Sequence, residues 1–326
     1  MSDSRTKRLI LTCAAGLSVL LVVIIAGKSA FGKRMDKETE SCPVPVNLNE
    51  TLTNEMSDTS CLAGFDKIVK DYLTYWGIHG ASLSVMRNDS LLFAKGYGEA
   101  DTDKKMGPGN ILRMASVSKL VTAVGIMVLQ ERGLLSIKDH VFGPDGILND
   151  SAYVAAIKDT LYNRITVEDL LRHKGGFSKR GGDPMFSTRW IMMQNGWKEV
   201  PTQEQLMELQ LKRRVRFVPG TAQEYSNFGY LALSMVIEKV SGMDYETFMQ
   251  ENVLRPIGCV DFHIAGNYYK HKLPNETRYY VQHDDEPAEE FNNSGRKVIR
   301  CYGGNNVTGL SGAGAWAAST PELALL

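Results

Sequence analysis

The stretch "RMASVSKLVTAVGIMVLQERG", residues 113–133, reads as one long apolar helix carrying a lysine, Lys119, three residues after a serine, Ser116. Residues three apart on a helix share a face, so the amine can reach the hydroxyl. A serine hydroxyl is a poor nucleophile at neutral pH and needs a neighbour to take its proton. A lysine near its reference pKa of ~10.4 is already protonated and cannot serve. Apolar neighbours such as Leu120, Val121 and Val124 disfavour the charged amine, as does the positive end of the helix dipole, so both push that pKa down. The plainer alternative is a lysine that snorkels to the surface from a core helix. Ser4–Lys7 and Ser294–Lys297 match the spacing too, but they lie in a polar tail and a Gly/Asn loop where nothing desolvates the amine.

Around this helix the chain has 326 residues, 43% hydrophobic and 23% charged, with 37 basic residues balancing 37 acidic ones. Such a composition supports a substantial core and excludes bulk attraction to nucleic acid. Scattered histidines and the lack of any Cys-x-x-Cys leave no structural zinc pattern.

Leu9 to Gly27, "LILTCAAGLSVLLVVIIAG", is an uncharged run whose length, at ~1.5 Å per residue, nearly matches a ~30 Å hydrocarbon layer. A retained transmembrane helix is expected over 9–27, in preference to a signal peptide, whose apolar region is usually about 7–15 residues. Basic residues flank both sides, so charge alone leaves the orientation open. The expected order is a cytoplasmic tail over 1–8, the span, a polar linker over 28–60 and a domain over 61–326. Cys42, Cys61, Cys259 and Cys301 permit three pairings, Cys42 with Cys61 and Cys259 with Cys301 among them, or free thiols.

Within the domain, "CLAGFDKIVKDYLTYW" places Leu62, Phe65, Ile68, Val69, Tyr72 and Leu73 at helical spacing. "ASLSVMRNDSLLFAKGYG" holds two apolar runs joined by Arg87-Asn88-Asp89-Ser90, a hairpin composition. Residues 134–224 read as helices and loops. "SNFGYLALSMVIEKVSG" is a helix with Ser226 or Asn227 at its N-cap and Gly242 at its C-terminal cap. It follows Tyr225-Ser226-Asn227, where an isolated reading makes Tyr225 a packing tyrosine.

Four blocks in order carry a resemblance: the opening stretch, "ITVEDLLRHKGGF", "FVPGTAQEYSNFGYLALSMVIEKVSGMDYETFM" and "GLSGAGAWAASTPELA". Together, over roughly residues 62–326, they resemble the class C β-lactamase and penicillin-binding serine hydrolase family. The resemblance implies an α/β (α+β) fold of the β-lactamase/transpeptidase type, an antiparallel sheet flanked by helices with an all-helical subdomain. It implies that Ser116 is the nucleophile, that Lys119 and Tyr225 are the acid/base pair, and that Asn227 binds the substrate amide. A phenol beside a lysine can share its proton, and an amide offers donor and acceptor at one point. Where class A enzymes carry Ser-Asp-Asn a tyrosine stands here, which favours the class C type. A Ser-His-Asp triad through His173 is rejected, because no Gly-x-Ser-x-Gly elbow exists; His173 is expected to tie down the end of its helix.

That family carries a third motif, Lys/His-x-Gly, on a strand lining the site, and no such triplet follows Tyr225 here. The fold is therefore expected to lack its C-terminal strands or to receive them from a partner. The expected function is a membrane-anchored, extracytoplasmic serine hydrolase that forms an acyl-enzyme on β-lactam, D-alanyl peptide, other peptide or ester substrates. It needs no cofactor, no metal and no nucleic-acid partner. The alternative is a catalytically silent binding or scaffold protein.

Overall fold

Arg87 and Ser90 face each other across Asn88 and Asp89, both left-handed with φ of 49° and 57°. Positive φ at both central residues of a two-residue loop matches the strand twist, which closes the expected hairpin. It joins β1 (Gly80–Arg87) to β2 (Ser90–Asp101), and the short β3 (Lys104–Lys105) completes an antiparallel sheet in the order β1-β2-β3. Since glycine takes such a conformation without strain, Asp89→Gly is expected to raise the unfolding midpoint by about 1–3 °C in a thermal melt. An unchanged or lower midpoint would count against the turn assignment.

The computed structural model describes residues 47–178, 182–281 and 285–326. The expected tail and membrane span lie outside these residues, as does Cys42. Among the described residues no helix is long and apolar enough to cross a membrane. Residues 47–60, expected as the end of a linker, instead dock on the domain. A helical turn, α1 (Leu48–Thr51), opens this segment. Asn49 is buried and donates to Asp261 Oδ2 at 2.9 Å. Asn54 donates to the Met106 carbonyl and accepts from Gly96 N, and the Ser57 hydroxyl bonds both backbone groups of Ala94. Hydropathy missed this because the docking uses polar side chains on strand backbone rather than an apolar stripe.

Next comes the expected helix, α2 (Ala63–Trp76), but its inward line differs from the expected one. Ile68 and Tyr72 are exposed, while Phe65 meets Phe93 edge-on with centroids 5.4 Å apart. Asp66 also points inward, accepting from Lys95 and from Tyr97 Oη. A carboxylate can stand on the inner face because an ammonium and a phenol satisfy it there.

β4 (Leu112–Arg113) precedes the quoted helix, which begins later than expected: α3 runs Ser118–Glu131 behind a 3-10 turn at Ala115–Val117. The stretch to 224 is helix and loop as expected, with α4 (Ser151–Ala156), α5 (Val167–Leu171), α6 (Thr188–Asn195) and α7 (Gln203–Leu211). Capping boxes at Thr166/Asp169 and Thr202/Gln205 start α5 and α7 by satisfying otherwise orphaned N–H groups. An aromatic line, Phe142 to Phe177 to Phe228 with centroids 6.3 and 5.0 Å apart, joins this helical part to α8 (Asn227–Ser241). α8 is capped as expected by Ser226, whose hydroxyl accepts from Gly229 N, and by left-handed Gly242. It is buried all round from Asn227 to Ile237, the mark of a central core helix.

After α8 come α9 (Tyr245–Met249), β5 (His263–Ile264) and the β6–β7 pair (Ala288–Glu289 with Lys297–Val298). β8 (Trp316–Ala318) lies between β4 and β5, and α10 (Thr320–Leu325) ends the chain's described part. Thr320 Oγ1 bonds Ser82 and Ser84 Oγ at 2.8 Å each, fixing α10 to β1. Cys259 and Cys301 are free, so that pairing is not made. Cys259 instead donates to the Glu322 carbonyl from within the core.

Candidate active site

Strand β4 delivers the chain to Ser116. Leu112 and Arg113 pair with Ala318 and Ala317 of β8, and Met114 N donates to the Trp316 carbonyl at 2.8 Å. Arg113 anchors this strand from behind: its guanidinium donates to the carbonyls of Cys301 and Gly266 and lies 4.4 Å from the Tyr279 ring. Ala115 then turns with φ of 46°, a conformation costing about 1–3 kcal/mol for a side-chain-bearing residue. The turn leaves Ser116 exposed at the head of α3 while Ser118, two residues on, is fully buried and accepts from Trp316 N. Exposure thus separates the candidate nucleophile from its neighbour.

Lys119 sits in the first turn of α3 and is 6% exposed. Its Nζ donates to Ser116 Oγ at 3.3 Å, to Asn227 Oδ1 at 2.8 Å and to the Ala313 carbonyl at 2.5 Å. It also lies 4.7 Å from the Tyr225 ring centroid and 5.5 Å from that of Tyr230. Burial pushes its pKa below the ordinary lysine range, against opposing pulls from Tyr225 and Asp183. The burial arises differently from the expectation: Leu120 is 50% exposed, and the surroundings that close over the amine come from α8 and the 308–313 turn.

Tyr225 Oη meets Ser116 Oγ at 2.6 Å, so the four residues singled out in sequence converge on one point. Burial pushes Tyr230 up to about 12, which leaves it a neutral wall of the site. His173 stands beyond α5 with φ of 57°; its Nδ1 accepts from Ser226 N, and its ring packs 4.5 Å from Tyr225. That nitrogen therefore holds the start of α8, a structural tie to a helix end, though to the beginning of α8 as well as the end of its own helix.

A buried chain of hydrogen bonds holds the Ala313 carbonyl in place. Trp316 Nε1 donates to Tyr245 Oη at 2.9 Å, which shares a 2.7 Å bond with Thr122 Oγ1, and Thr122 bonds the Gly312 carbonyl. Gly312 is needed here, since a Cβ would stand 2.8 Å from Thr122 Oγ1 and 3.1 Å from the Tyr230 carbonyl.

Residues 65–326 match the model of the Beta-lactamase family. The chain belongs to that family. A penicillin-binding protein of Bacillus subtilis strain 168 is 25% identical over 188 residues, 57% of this chain and 37% of that one. A putative D-alanyl-D-alanine carboxypeptidase of Escherichia coli O157:H7 is 23% identical over 234 residues, 68% of this chain and 49% of that one. The chain thus spans less than half the length of either relative. The D-amino acid amidase of Ochrobactrum anthropi SV3 shares the fold, with a TM-score of 0.60 at 19% identity, covering 82% of this chain and 69% of that structure. The β-lactamase/transpeptidase-like fold implied by the four sequence blocks is therefore the fold observed.

In this member of the Beta-lactamase family two site components were not legible from motifs. One is the Ala313 carbonyl, since any residue supplies one. The other is Asp183, whose Oδ2 accepts from Asn227 Nδ2 at 2.7 Å. The only signal for Asp183 was its place in the turn-rich "KGGFSKRGGDP", which marks a loop and no more.

Proposed function

We propose that this domain is a serine hydrolase working through an acyl-enzyme at Ser116. The observation that carries the reading is an exposed hydroxyl held 2.6 Å from a phenol and 3.3 Å from a buried amine whose pKa is lowered. Ser116 Oγ forms a bond to the substrate carbonyl carbon while its proton passes to Lys119. Tyr225 then hands its proton to the leaving nitrogen or oxygen as that bond to carbon breaks, and is reprotonated by Lys119, beside which it lies. The Ser116 backbone N–H contributes to the oxyanion hole, Asn227 orients the substrate amide, and water releases the acyl group.

The relatives' names support β-lactam and D-alanyl peptide substrates. Other peptides and esters are open to the same acyl chemistry, and the class C type of acid/base pair is favoured by Tyr225. The uncharged run over 9–27 supports a single-pass membrane anchor, and the extracytoplasmic side is proposed for the domain from the penicillin-binding and D-alanyl peptide chemistry in the relatives' names. A fluorophosphonate and a labelled penicillin test the chemistry: either reagent is expected to leave its mass on the Ser116 peptide, and Ser116→Ala to abolish it. An unlabelled wild-type protein that still binds penicillin reversibly would replace the hydrolase with a binding protein.

A further inference from the structure

We infer that Asp183 is a positioning residue: it fixes which end of the Asn227 amide faces Lys119 and holds a negative charge behind that amide. The inference concerns the acid/base pair of the proposed reaction, but its geometry stands without it. The two ends of an asparagine amide have nearly the same shape and opposite hydrogen-bonding character. Asp183 is held from its own side, with Oδ1 accepting from Met185 N at 3.0 Å and its carbonyl accepting from Phe186 N. Oδ2 is thereby aimed at Asn227 Nδ2. A carboxylate only accepts, so it admits the NH₂ end alone, and Oδ1 of Asn227, itself 8% exposed, must face Lys119 Nζ. In the flipped amide two oxygens would meet at Asp183 and two donors at Lys119.

The charge has its own effect. Around Lys119 stand Ser116 at the head of α3, Tyr225, Asn227 and Tyr230 from the start of α8, and the Ala313 carbonyl from the 308–313 turn. His173 lies behind the two tyrosines. Asp183 is the carboxylate whose field acts on the amine, and it favours the ammonium form. Removing that charge lets the proton leave at lower pH.

Asp183→Asn separates the charge from the amide orientation: its single side-chain oxygen can still accept from Asn227 Nδ2 and keep the amide turned while carrying no charge, giving up the bond from Met185 N. Nuclear magnetic resonance titration of isotope-labelled lysine in the full chain in detergent, with Lys119→Met to assign the resonance, reads Lys119 directly. In Asp183→Asn the Lys119 midpoint is expected to fall by about 0.5–1 pH unit. The acid limb of fluorophosphonate labelling should move down with it, with the high-pH plateau within about threefold of wild type. Asp183→Ala, which also frees the amide, should in addition lower the plateau about tenfold or more. A Lys119 midpoint that is the same in wild type and Asp183→Asn overturns the inference, as does a uniform loss of labelling with an unmoved limb, the behaviour of a merely structural loop residue. If Lys119 shifts as expected while wild-type Ser116 takes up no reagent, the acyl-enzyme reading fails and the role of Asp183 stands.

Discussion

Lys119→Met is expected to slow acylation of Ser116 by about 10²–10⁴, the contribution of a well-placed general base. Methionine fills similar apolar volume, so packing is kept, but it cannot take the serine proton and leaves Asn227 Oδ1 and the Ala313 carbonyl without their donor. The pH dependence should change in the same variant. In the wild-type protein the labelling rate is expected to rise with pH as Lys119 loses its proton. Because burial depresses that pKa, the rise is complete at lower pH than a solvent-exposed lysine would require. In Lys119→Met the limb should vanish. Time courses of fluorophosphonate labelling across pH check both points. A variant that labels within about tenfold of wild type and keeps the limb would move the role of base to Tyr225, whose Oη is the nearer group to Ser116 Oγ.

Trp316→Ala is expected to cost about 3–5 kcal/mol of stability, the range for emptying a large aromatic from a closed core. Trp316 is fully buried, packs edge-on against Tyr245 and Phe262, and donates to Tyr245 Oη. Alanine leaves a cavity and takes one partner from a phenol buried in the core. It also loosens the chain through Tyr245 and Thr122 that steadies the 308–313 turn, so labelling of Ser116 should fall in the fraction that stays folded. Denaturant unfolding followed by circular dichroism measures the loss. Trp316→Phe, which keeps most of the ring volume and forfeits the N–H, should cost less than half as much. An alanine variant within about 1 kcal/mol of wild type would mean that neighbouring side chains refill the space.

The Ser116–Lys119 half of the candidate site was legible because it is local, and Tyr225 and Asn227 through the resemblance of their block. Ser116 and Lys119 fall on one face at a separation of three, and Tyr225 and Asn227 flank a serine that caps α8. The hairpin was legible for the same reason, its turn chemistry lying within four consecutive residues. The segment 47–60 was misjudged because its polar side chains dock on strand backbone, a use that hydropathy scores as solvent. On α2, a count of apolar positions brought Ile68 and Tyr72 inward, whereas the structure turns Asp66 in and satisfies it with Lys95 and Tyr97 from the neighbouring strand.

The amino-acid sequence by itself placed Ser116 and Lys119 on one helical face and, through the resemblance of its four blocks, singled out Tyr225 and Asn227 and pointed to the family. The first depends on residue type at short spacing, the others on the order of motifs along the chain. Only the tertiary structure decided what surrounds Lys119. Tyr225 lies 109 residues from Ser116, the Ala313 carbonyl 194 residues from Lys119 and Asp183 44 residues from Asn227. The physical reason is that desolvation and amide orientation are properties of whatever packs against a group. Those neighbours arrive through folding, and a backbone carbonyl or a loop carboxylate leaves no periodic mark along the chain.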